Sequence, residues 1–476
     1  MEWNFDNTYL KLPKIFFTEI HPDSLVNPKF VLFNNEVAKK LNIENNIQSK
    51  NDILKIFFNN KKSKYIKPFS QAYAGHQFGY FTILGDGRAH IIGEVISKNN
   101  ERFDIQLKGS GKTPYSRNGD GKATLGTMIR EFIISESMNS LGIPTTNSLG
   151  VIITGEEVLR EKIEKGAILI RIAKSHIRIG TFQYANMYED KNYIKELTNY
   201  TIDRHYPELI NKKNKVEIFL EKVMTKQINL IINWLRVGFI HGVMNTDNMS
   251  IAGETIDYGP CAFMDEYNPN TVFSSIDRNG RYAYKNQSKI VLWNLSRFAE
   301  SILLLLDRDE KIAIKKAQKI LNKFQTIYSQ GWLKMMKNKL GLIEENKNDI
   351  KLIQELLDIM HVYKLDYTNT FVDLNNNEIN KHKQFKTWIE KYDERKEMEK
   401  KDKLYLKNIM KKNNPKIIPR NHIVANCIKE AEENNYNYLS EFLESFKKTY
   451  DEVDFPESLK KLPSNEEKVF QTFCGT

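Results

Sequence analysis

The run His241-Gly242-Val243-Met244-Asn245-Thr246-Asp247-Asn248 sets a carboxylate beside a carboxamide, and Asp257-Tyr258-Gly259 brings a second carboxylate nine residues after Asn248. Oxygen donors of this kind ligate hard cations and take up protons. An apolar run precedes them (Ile228, Leu230, Ile231, Ile232, Trp234, Leu235), as a buried helix requires. Far upstream stand Lys108, at the end of an alternating run, and Glu131, within a run of helical spacing. A lysine on a strand before a glutamate on a helix is commonplace alone. The pair gains weight from the Asp247-Asn248 and Asp257-Tyr258-Gly259 segments downstream.

The order of buried helix, loop with Asp and Asn, then Asp-x-Gly is similar to the active centre of a protein-kinase-like fold. In that resemblance the Asn and the second Asp hold metal ions on ATP, and a loop Asp handles the acceptor proton. A strand lysine, held by a helix glutamate, meets phosphate oxygens. One position departs from the pattern. The usual base lies two residues after the His and five before the Asn, and Val243 stands there. The nearby carboxylate is Asp247. Either the chain is catalytically dead, or it does different chemistry with the same parts.

The elements that must position these residues are legible in outline. Residues 1–70 read as a mixed lead-in. Phe81 to Leu84 reads as a strand, Gly85-Asp86-Gly87 as a turn and Arg88 to Ile96 as a second strand. Phe103, Ile105 and Leu107 alternate with Asp104, Gln106 and Lys108, so Lys108 points away from the apolar face. Leu125, Met128, Ile129, Phe132 and Ile133 come next at helical spacing, closed by Gly142 and Pro144. Strand signal returns at Ala167 to Ile172, and helical patterns dominate after about residue 190. Residues 390–416 read as an exposed charged helix or linker. Strands first and helices afterwards predict an α+β fold with two lobes. The expected division is a strand-rich N-lobe over 1–185, a helical C-lobe over 186–390 and a C-terminal helical extension over 391–476. A helical lid over the cleft is the expectation for the extension.

With 476 residues, 41% hydrophobic and 11% aromatic, the chain can build real cores. No run approaches the roughly 18 apolar residues of a membrane helix. The start, Met1-Glu2-Trp3-Asn4-Phe5-Asp6, lacks the order of a signal peptide, so a cytoplasmic protein is expected. Cys261, Cys427 and Cys474 form no CxxC pair, which argues against a zinc site or disulfide framework. The net charge of +11 comes from lysines dispersed among acids, a solvated surface more than a nucleic-acid footprint.

Other motifs are weaker. Gly109-Ser110-Gly111-Lys112-Thr113 resembles a P-loop, but Gln106 stands where its first glycine belongs and Pro114 where its helix should begin. Gly85-Asp86-Gly87-Arg88 reads as an ordinary hairpin turn, or as backbone that lets N–H groups and Arg88 approach an anion. Asn118-Gly119-Asp120-Gly121-Lys122 is a second Asp-Gly turn. Arg171 and Arg178 could clamp a phosphate, though a pair of surface ion-pairing residues is the commoner case. His176 and His241 read as structural.

Taken together, these segments resemble the SelO family (also called YdiU). The resemblance is carried by Tyr73-Ala74-Gly75-His76-Gln77-Phe78-Gly79, Leu84-Gly85-Asp86-Gly87-Arg88-Ala89, Leu107-Lys108-Gly109-Ser110-Gly111 and Thr113-Pro114-Tyr115-Ser116-Arg117. Ile129-Arg130-Glu131-Phe132, Leu141-Gly142-Ile143-Pro144-Thr145-Thr146 and Ser175-His176-Ile177-Arg178 continue it, as do the Asp247 loop, Asp257-Tyr258-Gly259-Pro260, Asn414-Pro415 and Ile418-Pro419-Arg420. The family is kinase-like in fold and inverted in chemistry. Its members are protein adenylyltransferases that bind ATP flipped, transfer AMP to Ser, Thr or Tyr of proteins and release pyrophosphate. UMP transfer from UTP with manganese is attributed to bacterial members.

The resemblance implies a role for each matching residue. Asp247 would accept the proton, and Asn248 and Asp257 would bind Mg²⁺ or Mn²⁺. Lys108, oriented by Glu131, would contact phosphates. Gly85, Gly87, Arg88, Asp120 and Gly121 would line the nucleotide, and Arg171 and Arg178 would hold its buried phosphate end. The partners implied are ATP, or UTP, and protein acceptors, with no nucleic acid and no membrane. Many relatives carry a redox residue near the C-terminus, where Cys474 falls here, and in some it pairs with a cysteine in the segment after Asp-Tyr-Gly. That segment here, Thr271-Val272-Phe273-Ser274-Ser275, has none. Cys261 is the nearby alternative, and a buried apolar thiol is at least as good a reading of it.

Overall fold

In the computed structural model, which describes residues 5–43, 50–58 and 66–473, the N-terminal part is built on one sheet and the rest is mostly helical. The strands are β1 (Phe17–Glu19), β2 (Lys29–Phe33), β3 (Phe69–Gln77), β4 (Tyr80–Gly85), β5 (Ala89–Ile96), β6 (Arg102–Lys108), β7 (Asn147–Leu159) and β8 (Ile163–Ala173). They pair antiparallel in the order β1-β3-β5-β6-β8-β7-β2, with β4 joined to β3 alone. The α+β class with a strand-rich beginning and helical remainder is as the sequence predicts. It is the kinase-like arrangement.

Alternation on β6 and β8 divides the sheet into two faces. Phe103, Ile105, Leu107, Ile168, Ile170 and Ile172 bury one face against the helices Asn35–Lys40 and Lys50–Phe58. Each such side chain is worth about 1.5–3 kcal/mol. Gln106, Lys108 and Arg171 therefore share the other face, where Gln106 pairs with Arg171 and Lys108 with Leu169. That face meets the helix Leu125–Ser140, whose Met128, Ile129, Phe132 and Ile133 belong to a core continuous with the helical part. The polar alternates of β6 are thus buried in a cleft, not turned to solvent.

The strand β7 carries no clear period of two in the sequence, because bulges near Gly150 and beyond Ile153 break its register with β8. The Gly85–Arg88 turn corrects a second expectation. It is not a β4–β5 hairpin, since β4 pairs with β3 and β5 pairs with β3 and β6. The chain turns inward there because Asp86 is buried, its backbone N–H donating to the Gln71 carbonyl at 2.9 Å. Of the two readings of residues 390–416, the charged helix holds for most of the segment, with one face buried. The helices Lys386–Lys396 and Lys403–Asn413 take up most of it and bury Tyr392, Arg395, Leu406 and Met410, with a non-helical link over 397–402. No helix among the described residues is long and apolar enough to cross a membrane.

The helix Asn421–Glu432 braces the helix Leu125–Ser140, where a Cβ on Gly126 would lie 3.0 Å from the Ile428 and Glu432 side chains. The C-terminal helices are therefore a buttress, and no helical lid forms among the described residues. Among the described residues of the extension, Phe473 alone lines the cleft. Arg420, 1% exposed, anchors the extension by donating to Asp366 at 2.8 Å and to Asp265 at 2.5 Å. Removing one partner of a buried ion cluster leaves charge without compensation, at about 3–5 kcal/mol. Arg420→Ala should lower the urea unfolding midpoint accordingly, and an unchanged midpoint would show that the anchor contributes nothing.

Candidate active site

A cavity of about 790 Å³ opens between the sheet and the helical part. Every residue that the sequence reading assigned to the site lines it: Gly85, Gly87, Arg88, Lys108, Asp120, Gly121, Glu131, Arg171, Arg178, Asp247, Asn248 and Asp257. The long helix Lys215–Arg236 delivers the chain to β9 (Phe239–Ile240), which pairs with β10 (Ala262–Phe263). Between these two strands run the Asp247 loop and the Asp257 segment. His241 is the buried post of the loop, stacked on Trp234 at 5.3 Å with Nε2 2.9 Å from the Ile256 carbonyl. It is structural, as is His176, whose Nδ1 sits 3.0 Å from Asp104.

Asp257 is the electrostatic centre. Its Oδ1 accepts from Lys108 Nζ at 3.0 Å and from Arg171 Nη2 at 2.7 Å, and its Oδ2 from Arg178 Nη1 at 2.5 Å. Burial alone would push this carboxyl up, but Arg171, Arg178 and Lys108 hold it well below the usual range. Asp257 also adopts φ +63°, a left-handed conformation that costs a non-glycine residue about 1–3 kcal/mol and persists where surroundings dictate it. Lys108 meets Glu131 at 2.6 Å, so the strand–helix pair forms. Glu131 also accepts from Arg171 Nε at 3.0 Å; burial opposes its ionisation, while Arg171 and Lys108 hold its carboxyl down. The alternative for Arg171 and Arg178, exposed surface pairing, does not hold: they are 1% and 2% exposed.

Asp247 lies differently. It is 6% exposed, and its Oδ1 has no hydrogen-bond partner. Burial raises its carboxyl to about 6, against the pull of Arg178, which donates to the Asp247 carbonyl at 2.7 Å. Val243, in the kinase base position, is an apolar part of the cavity wall. The position of Asp247 depends on a missing side chain. A Cβ on Gly75 of β3 would stand 2.3 Å from Asp247 Oδ1 and 2.8 Å from its Cβ. Gly75 has no positive φ, so space is its reason to be glycine.

Asn248 donates Nδ2 to the Val243 carbonyl at 2.9 Å, which leaves its Oδ1 available as a donor atom. With Asp257 it offers an oxygen-only set. Among the described residues no group of three or more His, Cys, Asp or Glu could hold a metal ion. The residues present suit Mg²⁺, which takes one or two protein ligands and completes its shell from phosphates and water.

Asp120 and Gly121 sit at the rim. Asp120 is gripped by Arg160, at 2.8 and 3.0 Å, and accepts from the Lys122 N–H at 2.9 Å. The Gly109–Thr113 run leads into loop up to Leu125, so no P-loop helix exists there. Sequence reasoning missed Asp86, Gln106, Arg130 and Arg160. Asp86 Oδ2 accepts from Gln106 Nε2 at 3.2 Å, and its Oδ1 lies 3.9 Å from Arg178. The alternation on β6 could have found Gln106; nothing local marks Arg160. Cys261 is fully buried, as an apolar thiol. Cys474 lies outside the described residues.

The sequence matches the family described as "Protein adenylyltransferase SelO" over residues 1–447. The chain belongs to this family. A protein from Clostridium perfringens, named "Protein nucleotidyltransferase YdiU", is 51% identical over 100% of this chain and 98% of its own length. Relatives of the same name from Nitrosococcus oceani and Anoxybacillus flavithermus are 48% and 49% identical, each over 100% of this chain and 97% and 99% of their own lengths. The chain is thus an enzyme of the nucleotidyltransferase class. Gly75→Ala should displace Asp247 and lower protein nucleotidylation at least tenfold while a fluorescent ATP analogue still binds. Undiminished transfer would mean that the contact does not matter.

Proposed function

We propose that this protein transfers AMP from ATP to Ser, Thr or Tyr hydroxyls of proteins, with Asp247 as proton acceptor. The observation that carries the reading is the state of Asp247. It is a buried carboxyl on the cavity wall, raised to about 6, beside an apolar Val243 where a kinase keeps its base. Such a group is a carboxylate at neutral pH and basic enough to take a proton. Lys108, Arg171 and Arg178 converge on Asp257, which lines the same cavity. Three cations suit a triphosphate, whose negative charge would replace part of the carboxylate charge that they now neutralise.

In this reading the acceptor oxygen forms a bond to the α-phosphorus. The bond from that phosphorus to the bridging oxygen breaks, and its electron pair leaves with pyrophosphate. The hydroxyl proton passes to Asp247. Lys108, fixed between Glu131 and Asp257, steadies the phosphates, and Arg171 and Arg178 bind their buried end. Mg²⁺ held by Asn248 and Asp257 would draw charge from the phosphate oxygens. Gly85, Gly87 and Arg88 would wall the nucleotide, with Asp120 and Gly121 at the rim. UMP transfer from UTP with manganese is the same displacement with another base, and a transfer assay run with each nucleotide and each metal separates the two.

Purified protein given ATP labelled at the α- or the γ-phosphate should transfer only the α-label to protein. Asp257→Ala should abolish it, and Asp247→Ala should reduce it about 10²–10⁴-fold, the usual worth of a positioned base. Label from the γ-phosphate alone would make the protein a kinase. No label from either, with acceptors of related enzymes and both metals tried, would favour an ATP-binding scaffold.

The pH dependence comes from the same carboxyl. The protonated form of Asp247 cannot accept a proton, so kcat/KM should rise with pH, with a midpoint near 6, and level above it. A flat profile from pH 5 to 8 would remove Asp247 from the base role.

A further inference from the structure

The hairpin of β3 and β4 does more than roof the cavity. Its tip is pinned to the Asp247 loop: the His76 N–H donates to Thr246 Oγ1 at 2.7 Å and the Phe78 N–H to Asn245 Oδ1 at 3.0 Å. Tyr282 OH donates to the same Asn245 oxygen, and its ring packs on Phe78 at 5.1 Å. These contacts cover the β3 edge. Along β4 the far edge has no partner strand among the described residues. Tyr80, Phe81 and Ile83 are 80%, 43% and 57% exposed on it. Proteins normally blunt such an edge with charge or proline. The strand Tyr80-Phe81-Thr82-Ile83-Leu84-Gly85 carries neither.

A cationic aromatic patch packs against the tip of this hairpin at His76, whose ring meets Phe81 of β4 at 5.2 Å. The guanidinium groups of Arg281 and Arg297 lie 4.9 and 5.2 Å from the Trp293 ring, and His76 meets that ring edge-on at 5.1 Å. Arg281 has no carboxylate within ion-pair distance among the described residues. Arg297 pairs with Glu300, which is half-exposed. The patch is continuous with the cavity mouth. Phe78 and the exposed Ile276 line the cavity, and a Cβ on the neighbouring Gly79 would lie 3.9 Å from the Arg281 guanidinium.

We propose that the acceptor protein docks here through an extended acidic segment, which pairs with the free edge of β4 and sets its carboxylates against Arg281 and Arg297. The inference rests on the protein-transfer reading and names the acceptor chemistry for it. An open strand edge supplies backbone pairing of any sequence. The exposed aromatic and aliphatic side chains favour apolar alternates, and the arginine without a carboxylate partner among the described residues favours an acid. Because the hairpin is bolted to the Asp247 loop, a segment held on it has a fixed register toward the site.

Binding of a fluorescein-labelled glutamate–tyrosine copolymer, read by anisotropy, tests the surface without requiring transfer. Arg281→Glu should weaken it at least tenfold, as should Ile83→Glu, which sets a like charge on the strand edge at an exposed position that does not endanger the fold. Lys407→Glu makes the same charge change as Arg281→Glu on the helix Lys403–Asn413, which packs on the helix Phe324–Leu340, and should leave binding unchanged. A fluorescent ATP analogue should bind all variants alike. Equal binding of a lysine–tyrosine copolymer, an equal loss in Lys407→Glu, no loss in the two surface variants, or tighter Arg281-dependent binding of polyuridylate would each overturn the proposal. Arg281-dependent copolymer binding without transfer of α-label would fail the transfer reading and leave the acidic-segment surface standing.

Discussion

The structure turns on one requirement: Asp257 must stay ionised, in a left-handed backbone conformation, inside a low-dielectric cleft. Burial works against that charge, and Lys108, Arg171 and Arg178 overcome it together. Each cation arrives from a different place. Lys108 ends β6, Arg171 lies on β8, and Arg178 precedes the helix Ile179–Asn186. The sheet and the helical part are thus joined at a carboxylate. An ion cluster of this kind adds little net stability over apolar packing, because desolvation consumes most of the attraction. What it provides is a set of cations gathered and oriented on one wall of the cavity.

The same scaffold explains how a carboxylate other than one at the kinase base position comes to face the cavity. In the kinase order, Val243 occupies the base position, and an apolar residue there cannot take a proton. Asp247 reaches the cavity instead because two backbones come unusually close around it. Gly75 of β3 meets its carboxyl, and a Cβ on Gly180 would lie 1.9 Å from the Ala74 carbonyl and 3.2 Å from Asp247 Cα. Neither glycine has a positive φ. Both serve close approach, and the burial they create is what raises the carboxyl.

The legible parts of the chain were those with local period or local order. The alternation of β6, the helical spacing from Leu125 and the Asp247–Asp257 order all survive in the structure. The residues reached by family resemblance gather around one cavity. Three features escaped for a common reason, which is that they are tertiary. Register bulges hide β7. The 85–88 turn looks like a hairpin until β4 is seen to pair backwards with β3. Asp86 and Arg160 act on residues 20 and 40 positions away, Gln106 and Asp120, and neither has a signature at that distance.

Helix Leu125–Ser140 links these observations. In regulated kinases the matching helix controls whether the lysine–glutamate pair forms. Here it is held from three sides. Glu131 binds Lys108 and Arg171 in front. Arg130 reaches the carbonyls of Gly259 and Cys261, fastening the helix to the segment after Asp257. Gly126 admits the helix Asn421–Glu432 behind, at contact distance. A swing of the helix would break all three sets of contacts at once. The C-terminal extension therefore serves the site without covering it, by making the lysine–glutamate pair a fixed part of the fold.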